Sequence, residues 1–247
     1  MKKIKSQKSF IFLFFKKYVS IFLAFLMQKL NINSNFMFLI DFILHIDTHL
    51  GEIISQFGAL TYAILFAIVF AETGLVFTPF LPGDSLLFAS GMFSATEALN
   101  IFYVVTVLWL AAFGGDNTNY WIGYFFGKKI VKNKYIPINQ EHIDKTEEFY
   151  AKHGGKTVFL ARFMPIFRTF APFVAGVGKM QYRKFVTYSF LGATAWICGL
   201  TLAGYFFGNI PLVKNNFSIV IIGIILVSIT PGILELIKSK IKQRRQS

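Results

Sequence analysis

Two long apolar stretches of this chain are interrupted where a helix cannot continue, and charged residues flank both interruptions. From Phe57 to Phe93 the sequence is strongly apolar, but it is broken by Thr78-Pro79-Phe80-Leu81-Pro82-Gly83-Asp84. From Thr157 to Gly178 it is apolar again, with Pro165, Pro172 and two arginines, Arg162 and Arg168. Proline has no N–H to give and its ring clashes with the preceding turn, so such segments do not form one regular helix. Broken backbone at membrane depth is tolerated only where protein or a wet cavity satisfies it. The first stretch reads as a re-entrant hairpin: Phe57–Val76, a break, then Asp84–Phe93. The second reads as another. Pro79, Pro82, Gly83, Pro165 and Pro172 mark the breaks. The competing reading of the first is a full span followed by an ordinary loop.

Composition supports the bilayer as solvent. Apolar residues make up 55% of the 247, charged residues only 15%, and mean hydropathy is +0.56. A soluble domain usually carries about a quarter charged residues. Each span needs about 20 residues, so the length suits one membrane domain of about four to six embedded segments. The net charge of +13 comes from 25 Lys and Arg against 12 Asp and Glu. It sits mostly between and outside the apolar runs, where cytoplasmic loops collect basic residues, so nucleic-acid binding is not expected. The single cysteine, Cys198, allows no intrachain disulfide and no cysteine cluster. His45 and His49 are four apart but lack the carboxylate of a zinc motif. No metal and no cofactor is expected.

Residues 1–35 stand apart as an N-terminal extension. They begin with Lys2, Lys3, Lys5 and Lys8, and Lys16 and Lys17 interrupt their apolar run. They read either as a membrane-lying or anchoring segment, or as an over-long start with Met37 as the first residue. Residues 36–240 form the membrane domain. Within it, 36–56 has the spacing of an interfacial amphipathic helix. Ile101–Phe126, Phe185–Phe207 and Phe217–Ile237 read as spans. Lys128–Lys156, with seven lysines, reads as a solvent-facing loop with one surface helix capped by Asn139. Residues 241–247 are a basic tail.

Gly-Tyr-Phe-Phe-Gly occurs twice, at 123–127 and 204–208. Each copy closes a span that follows a broken hairpin. A hairpin returns to its own side and one span crosses, so two such units have opposite orientation. The fold class is therefore an all-α polytopic membrane protein, an inverted repeat of re-entrant hairpin plus transmembrane helix, with a further C-terminal transmembrane helix. Inverted repeats are a frequent transporter plan, with the site where broken segments meet. The loop 128–156 and the C-terminus then share one side. The other side receives 46–56, 94–100 and 209–216, which hold a single basic residue, Lys214. The asymmetry puts the loop and the C-terminus in the cytoplasm.

Glu72, Asp84, Asp116, Arg162 and Arg168 all lie in apolar surroundings. A charge at the bilayer centre costs at least about 2.5–3.5 kcal/mol on insertion scales, so these groups need partners, water or protonation. Two readings stay open. The charges pair and lock the hairpins together, in which case a Glu72–Arg162 charge swap restores function. Or they form a gated polar site. In the second, Arg162 and Arg168 bind phosphate oxygens, which suit arginine's planar fork. Glu72 and Asp84 exchange protons there, because a carboxylate in a dry site holds its proton more tightly. Asp116 is a possible further member, or a cap or pairing group inside the bundle. Enzyme readings need a nucleophile with a base, and no H-E-x-x-H, G-x-S-x-G or Walker motif is present.

E-T-G-L-V-F-T-P-F-L-P-G-D-S-L-L-F at 72–88 and A-R-F-M-P-I-F-R-T-F-A-P-F-V-A-G at 161–176 resemble the two signatures of the DedA family, also called the SNARE-associated or VTT-domain family. The stretches at 38–50 and 231–235 also resemble it, so the likeness covers about 37–240. It implies paired re-entrant loops facing each other. It places the family's functional acidic pair on Glu72 and Asp84 and its essential arginines on Arg162 and Arg168. It implies a bacterial inner-membrane protein tied to proton-motive force and lipid translocation. The expected substrate is an anionic lipid, a polyprenyl or glycerophospholipid phosphate, with undecaprenyl phosphate the best candidate. The alternatives are a membrane homeostasis or assembly factor without transport, and a small cation–proton antiporter.

Overall fold

The structure is a computed structural model. It describes residues 46–75, 83–131, 154–224, 226, 227 and 230. The N-terminal extension, Pro79, Pro82, the capping Asn139 and the basic tail lie outside the described residues.

Every regular element among the described residues is helical. The order is α1 (Ile46–Phe57), a 3₁₀ turn (Gly58–Leu60), α2 (Thr61–Gly74), α3 (Gly83–Ala95), α4 (Ile101–Val131), α5 (Lys156–Ala161), α6 (Pro165–Val177), α7 (Tyr182–Phe207) and the short α8 (Pro211–Lys214). Residues 217–224 are helical as well. α1 is amphipathic, burying Ile46 and Leu50 while Glu52 and Ser55 stay exposed. Gly58 then takes a positive φ of 51°, a conformation that glycine adopts without steric cost. It turns the chain into α2. Asn100 caps α4, its side-chain oxygen accepting from the N–H of Phe102 at 3.0 Å.

Three helical stretches are long and apolar enough to cross a membrane: Ile46–Gly74, Ile101–Phe126 and Tyr182–Phe207. Their outer faces carry large exposed apolar side chains, among them Phe102, Leu110, Phe190 and Phe206. A water-soluble monomer rarely exposes apolar surface so extensively; lipid is its natural solvent. α2, α3 and α6, with 14, 13 and 13 residues, are each about 20 Å long at 1.5 Å per residue. The hydrocarbon core is about 30 Å thick, so none of the three crosses alone.

The sequence reading of Pro172 as a break needs correction. Pro172 lies inside α6. The second interruption is the turn at 162–164, and Pro165 opens α6 at its first position, where a missing N–H costs nothing. Pro172 instead has no N–H to offer the carbonyl of Arg168, one turn back, and so perturbs the helix beside that arginine. Gly83 is the first residue of α3.

The helices pair in a crossed pattern. α3, from the first broken stretch, packs along α7; α6, from the second, packs along α4. Glycines set both contacts. A Cβ on Gly91 would lie 2.0 Å from the carbonyl oxygen of Thr201, and one on Gly204 would lie 2.0 Å from that of Phe88. In the other pair, a Cβ on Gly176 would lie 2.0 Å from the carbonyl oxygen of Tyr120, and one on Gly123 would lie 2.1 Å from that of Phe173. Gly123 and Gly204 open the two Gly-Tyr-Phe-Phe-Gly copies. The repeated sequence thus makes the same backbone contact twice. α2 also lies against α4, with Gly74 facing Gly115.

Candidate functional site

The broken stretches bring their charges to one place. Glu72 sits in the last turn of α2 and Asp84 in the first turn of α3. Arg162 follows α5, and Arg168 lies in the first turn of α6. Asp116 projects from the middle of α4. All five are buried, from 0% exposed at Glu72 to 6% at Asp84.

Arg168 bridges the first pair. Its Nη2 donates to Glu72 Oε1, and its Nη1 donates to Asp84 Oδ1 at 2.5 Å. Glu72 approaches so closely that a Cβ on Gly83 would lie 1.9 Å from Glu72 Oε2. Only glycine leaves room for that carboxylate. Arg162 has a different counter-ion, Asp116, at 2.5 Å between Nη1 and Oδ1. Ser189 of α7 donates to the other oxygen of Asp116 at 2.6 Å. Glu72 is therefore the partner of Arg168 and not of Arg162, and a Glu72–Arg162 swap does not exchange a bonded pair.

Three residues that the sequence reading passed over complete the arrangement. Trp196 of α7 donates its indole N–H to Asp84 Oδ1 at 2.9 Å. Its ring also lies under both guanidinium groups, 4.5 Å from Arg168 and 4.9 Å from Arg162. Cation–π attraction is worth about 2 kcal/mol or more when desolvated, so one side chain positions both arginines. Asn119, one turn beyond Asp116, donates to the carbonyls of Thr73 at 3.1 Å and Thr169 at 2.6 Å. It fastens α2 and α6 to α4. Ser189 is the third. A signal existed for Trp196: membrane tryptophans favour the interfaces, yet this one stands at mid-span. Asn119 and Ser189 carried no comparable mark.

Arg162 is 3% exposed, and its Nε and both Nη atoms have no hydrogen-bond partner of good geometry among the described residues. Its contact with Asp116 is one of charge. It lines a pocket of about 270 Å³ with Asp84, Arg168, Trp196, Phe163, Ala195, Gly199, Leu200 and Val227. The site thus offers an underused guanidinium at the base of a largely apolar pocket. Three carboxylates face two guanidinium groups, leaving one excess negative charge among the described groups when all are ionised. His49, by contrast, lies away from the cluster, in α1, beside Glu52 at 3.7 Å.

Residues 81–206 match the VTT domain model. The chain is 55% identical over 206 residues to "Protein DedA" of Escherichia coli K12, covering 82% of this chain and 94% of that protein. The chain belongs to the DedA family. It is also 41% identical over 181 residues to "Uncharacterized membrane protein Rv0364" of Mycobacterium tuberculosis H37Rv, covering 72% of this chain and 79% of the relative. To "Inner membrane protein YghB" of E. coli K12 the identity is 29% over 177 residues, 71% and 78% of the two chains. No solved structure matches. As a DedA family member with long apolar helices, the chain is a membrane protein.

Proposed function

We propose that this DedA family protein transports an anionic lipid across the membrane, with undecaprenyl phosphate the leading substrate and the proton gradient as the driving force. The observation that carries this reading is Arg162: a buried guanidinium with unused donors, lining a pocket whose other walls are mostly apolar. Buried polar groups are nearly always hydrogen-bonded, and an exception asks for an absent partner. A phosphate monoester supplies acceptor oxygens in the geometry that an arginine fork prefers. Arg168 already holds two carboxylates, so it joins Arg162 on the phosphate only when Glu72 or Asp84 lets go. Protonation of either carboxylate weakens its hold. One proton also cancels the excess negative charge of the cluster, which is the basis for proton coupling. Asp116 is the counter-ion that holds Arg162 until the substrate arrives.

The architecture that goes with this function is an inverted repeat. α2–α3 and α5–α6 are its re-entrant hairpins, α4 and α7 its spans, and helical residues 217–224 the start of a further C-terminal span. The short lengths of α2, α3 and α6, and the matched glycine contacts of the two sequence copies, support it. The bend at Gly58 supports α1 as an interfacial helix. Loop 128–156 and the C-terminus face the cytoplasm of a bacterial inner membrane in this reading. The protein performs transport and no covalent chemistry.

The test is translocation of undecaprenyl phosphate by the purified protein in liposomes, with and without a pH gradient. Gradient-dependent movement that disappears in Arg162→Ala is expected. Equal movement by the wild type and Arg162→Ala overturns the proposal.

A further inference from the structure

The pocket beside Arg162 is smaller than the molecule it is proposed to recognise. Cavities that enclose a drug-sized ligand measure about 300–1,000 Å³. This one measures about 270 Å³, and a membrane lipid exceeds a drug in size. Only the phosphate head fits, so the hydrocarbon chain must leave through an opening.

The exposed face of α7 identifies that opening. Leu191, Ala195, Gly199, Leu202 and Phe206 follow one another at helical spacing and are all exposed. The stripe is bulky at both ends and small in the middle. Ala195 and Gly199 lie at the mouth of the Arg162 pocket, with exposed Val227 across from them. Among the described residues, a Cβ on Gly199 would meet nothing within 4 Å. Counted back from the Gly-Tyr-Phe-Phe-Gly copies, Gly114 and Thr118 of α4 hold the places that Ala195 and Gly199 hold in α7. There the ring of Phe70 closes the space, 3.6 Å from where a Cβ would stand. The small pair of α7 is therefore not repeated in α4, where a threonine and the Phe70 ring occupy the corresponding face.

We infer that the Ala195–Gly199 notch is a lateral portal, through which the chain of a phosphate-bearing lipid runs from the Arg162 pocket into the bilayer. Two independent features meet here: the gap in the lipid-facing stripe, and a buried arginine that lines the pocket behind it and makes no hydrogen bond of good geometry among the described residues. Two small residues alone do not make a site; the arginine gives the notch its ligand chemistry. The inference rests on the anionic-lipid reading and adds to it where the tail lies.

Gly199→Leu tests it. No described neighbour has to move for a side chain there, and leucine favours a helix over glycine, so the variant is expected to fold. Binding of undecaprenyl phosphate and of inorganic phosphate to the detergent-solubilised protein is followed by tryptophan fluorescence, beside the wild type and Arg162→Ala. The expected result is at least about ten-fold weaker lipid binding by Gly199→Leu, or about 1.4 kcal/mol, with inorganic phosphate bound as in the wild type. Arg162→Ala is expected to lose both ligands. Lipid binding by Gly199→Leu equal to the wild type, with Arg162→Ala deficient, overturns the portal and leaves the anionic-lipid reading standing. Loss of both ligands in Gly199→Leu also overturns the portal. Arg162→Ala binding lipid as the wild type does overturns both.

Discussion

At the scale of single residues, the two arginines are not equivalent. Arg168 neutralises Glu72 and Asp84 together. Its removal leaves two buried carboxylates without their cation, and breaking a buried pair costs about 3–5 kcal/mol. Arg168→Ala is therefore expected to melt well below the wild type in detergent, as well as to lose transport. Arg162→Lys keeps the charge beside Asp116 but loses the planar fork; it is expected to fold normally and to transport poorly. Asn119→Ala leaves the carbonyls of Thr73 and Thr169 without their shared donor. A typical hydrogen bond contributes about 0.5–1.5 kcal/mol net, so this variant should lower thermal stability, measurable by the same melting curve. All five charged positions were legible in the sequence, because a charge in an apolar run needs an explanation. Their partners were not: whether Glu72 meets Arg162 or Arg168 depends on how α2, α3 and α6 face one another, which local sequence does not encode.

At the scale of elements, the contact between helices is a backbone contact. Gly91, Gly123, Gly176 and Gly204 each face a carbonyl of the helix they cross. Small residues that let backbones approach are the common means of packing helices in lipid, where no hydrophobic effect drives them together. Gly204→Val is expected to force α7 away from α3 at a cost of about 1–3 kcal/mol or more. Gly199→Ala, where nothing is touched, should be neutral or slightly stabilising. The two melting temperatures decide the point. The first glycine of each pentapeptide copy makes the same contact, and in the second copy the closing Gly208 is tightly packed as well, against Met92. The fate of Pro172 was hidden because a proline within a helix and a proline at its end look alike in sequence. The structure shows the helix continuing through that position, fastened to α4 by Asn119 and by its packing.

At the scale of the molecule, the corresponding faces of α4 and α7 differ: Gly114 and Thr118 stand where α7 has Ala195 and Gly199, and the Phe70 ring packs beside Gly114. If closing one face is what keeps lipid movement tied to the gradient, opening both uncouples it. Phe70→Ala is expected to give lipid exchange between leaflets that proceeds without a pH gradient, in the same liposome assay. Unchanged gradient dependence would show that Phe70 packs without gating. The composition, the apolar run lengths and the charge asymmetry made the membrane class readable from the start. The place of Phe70 was not readable, because it depends on how α2 packs against Gly114 of α4.

The crossed pairing of α3 with α7 and of α6 with α4 has a consequence for how such a chain comes into being. Cut anywhere in 132–153, the molecule yields two halves that each leave a glycine-notched helix face bare, and the face that fits it belongs to the other half. Expressed alone, either half is expected to be degraded; expressed together, the two are expected to reassemble, which co-purification of one half with a tagged other half checks. A primitive version with one unit per gene could complete itself only by meeting a sister molecule. Gene fusion would then have made permanent a handshake between two molecules, and each copy of the pentapeptide marks where one hand closes.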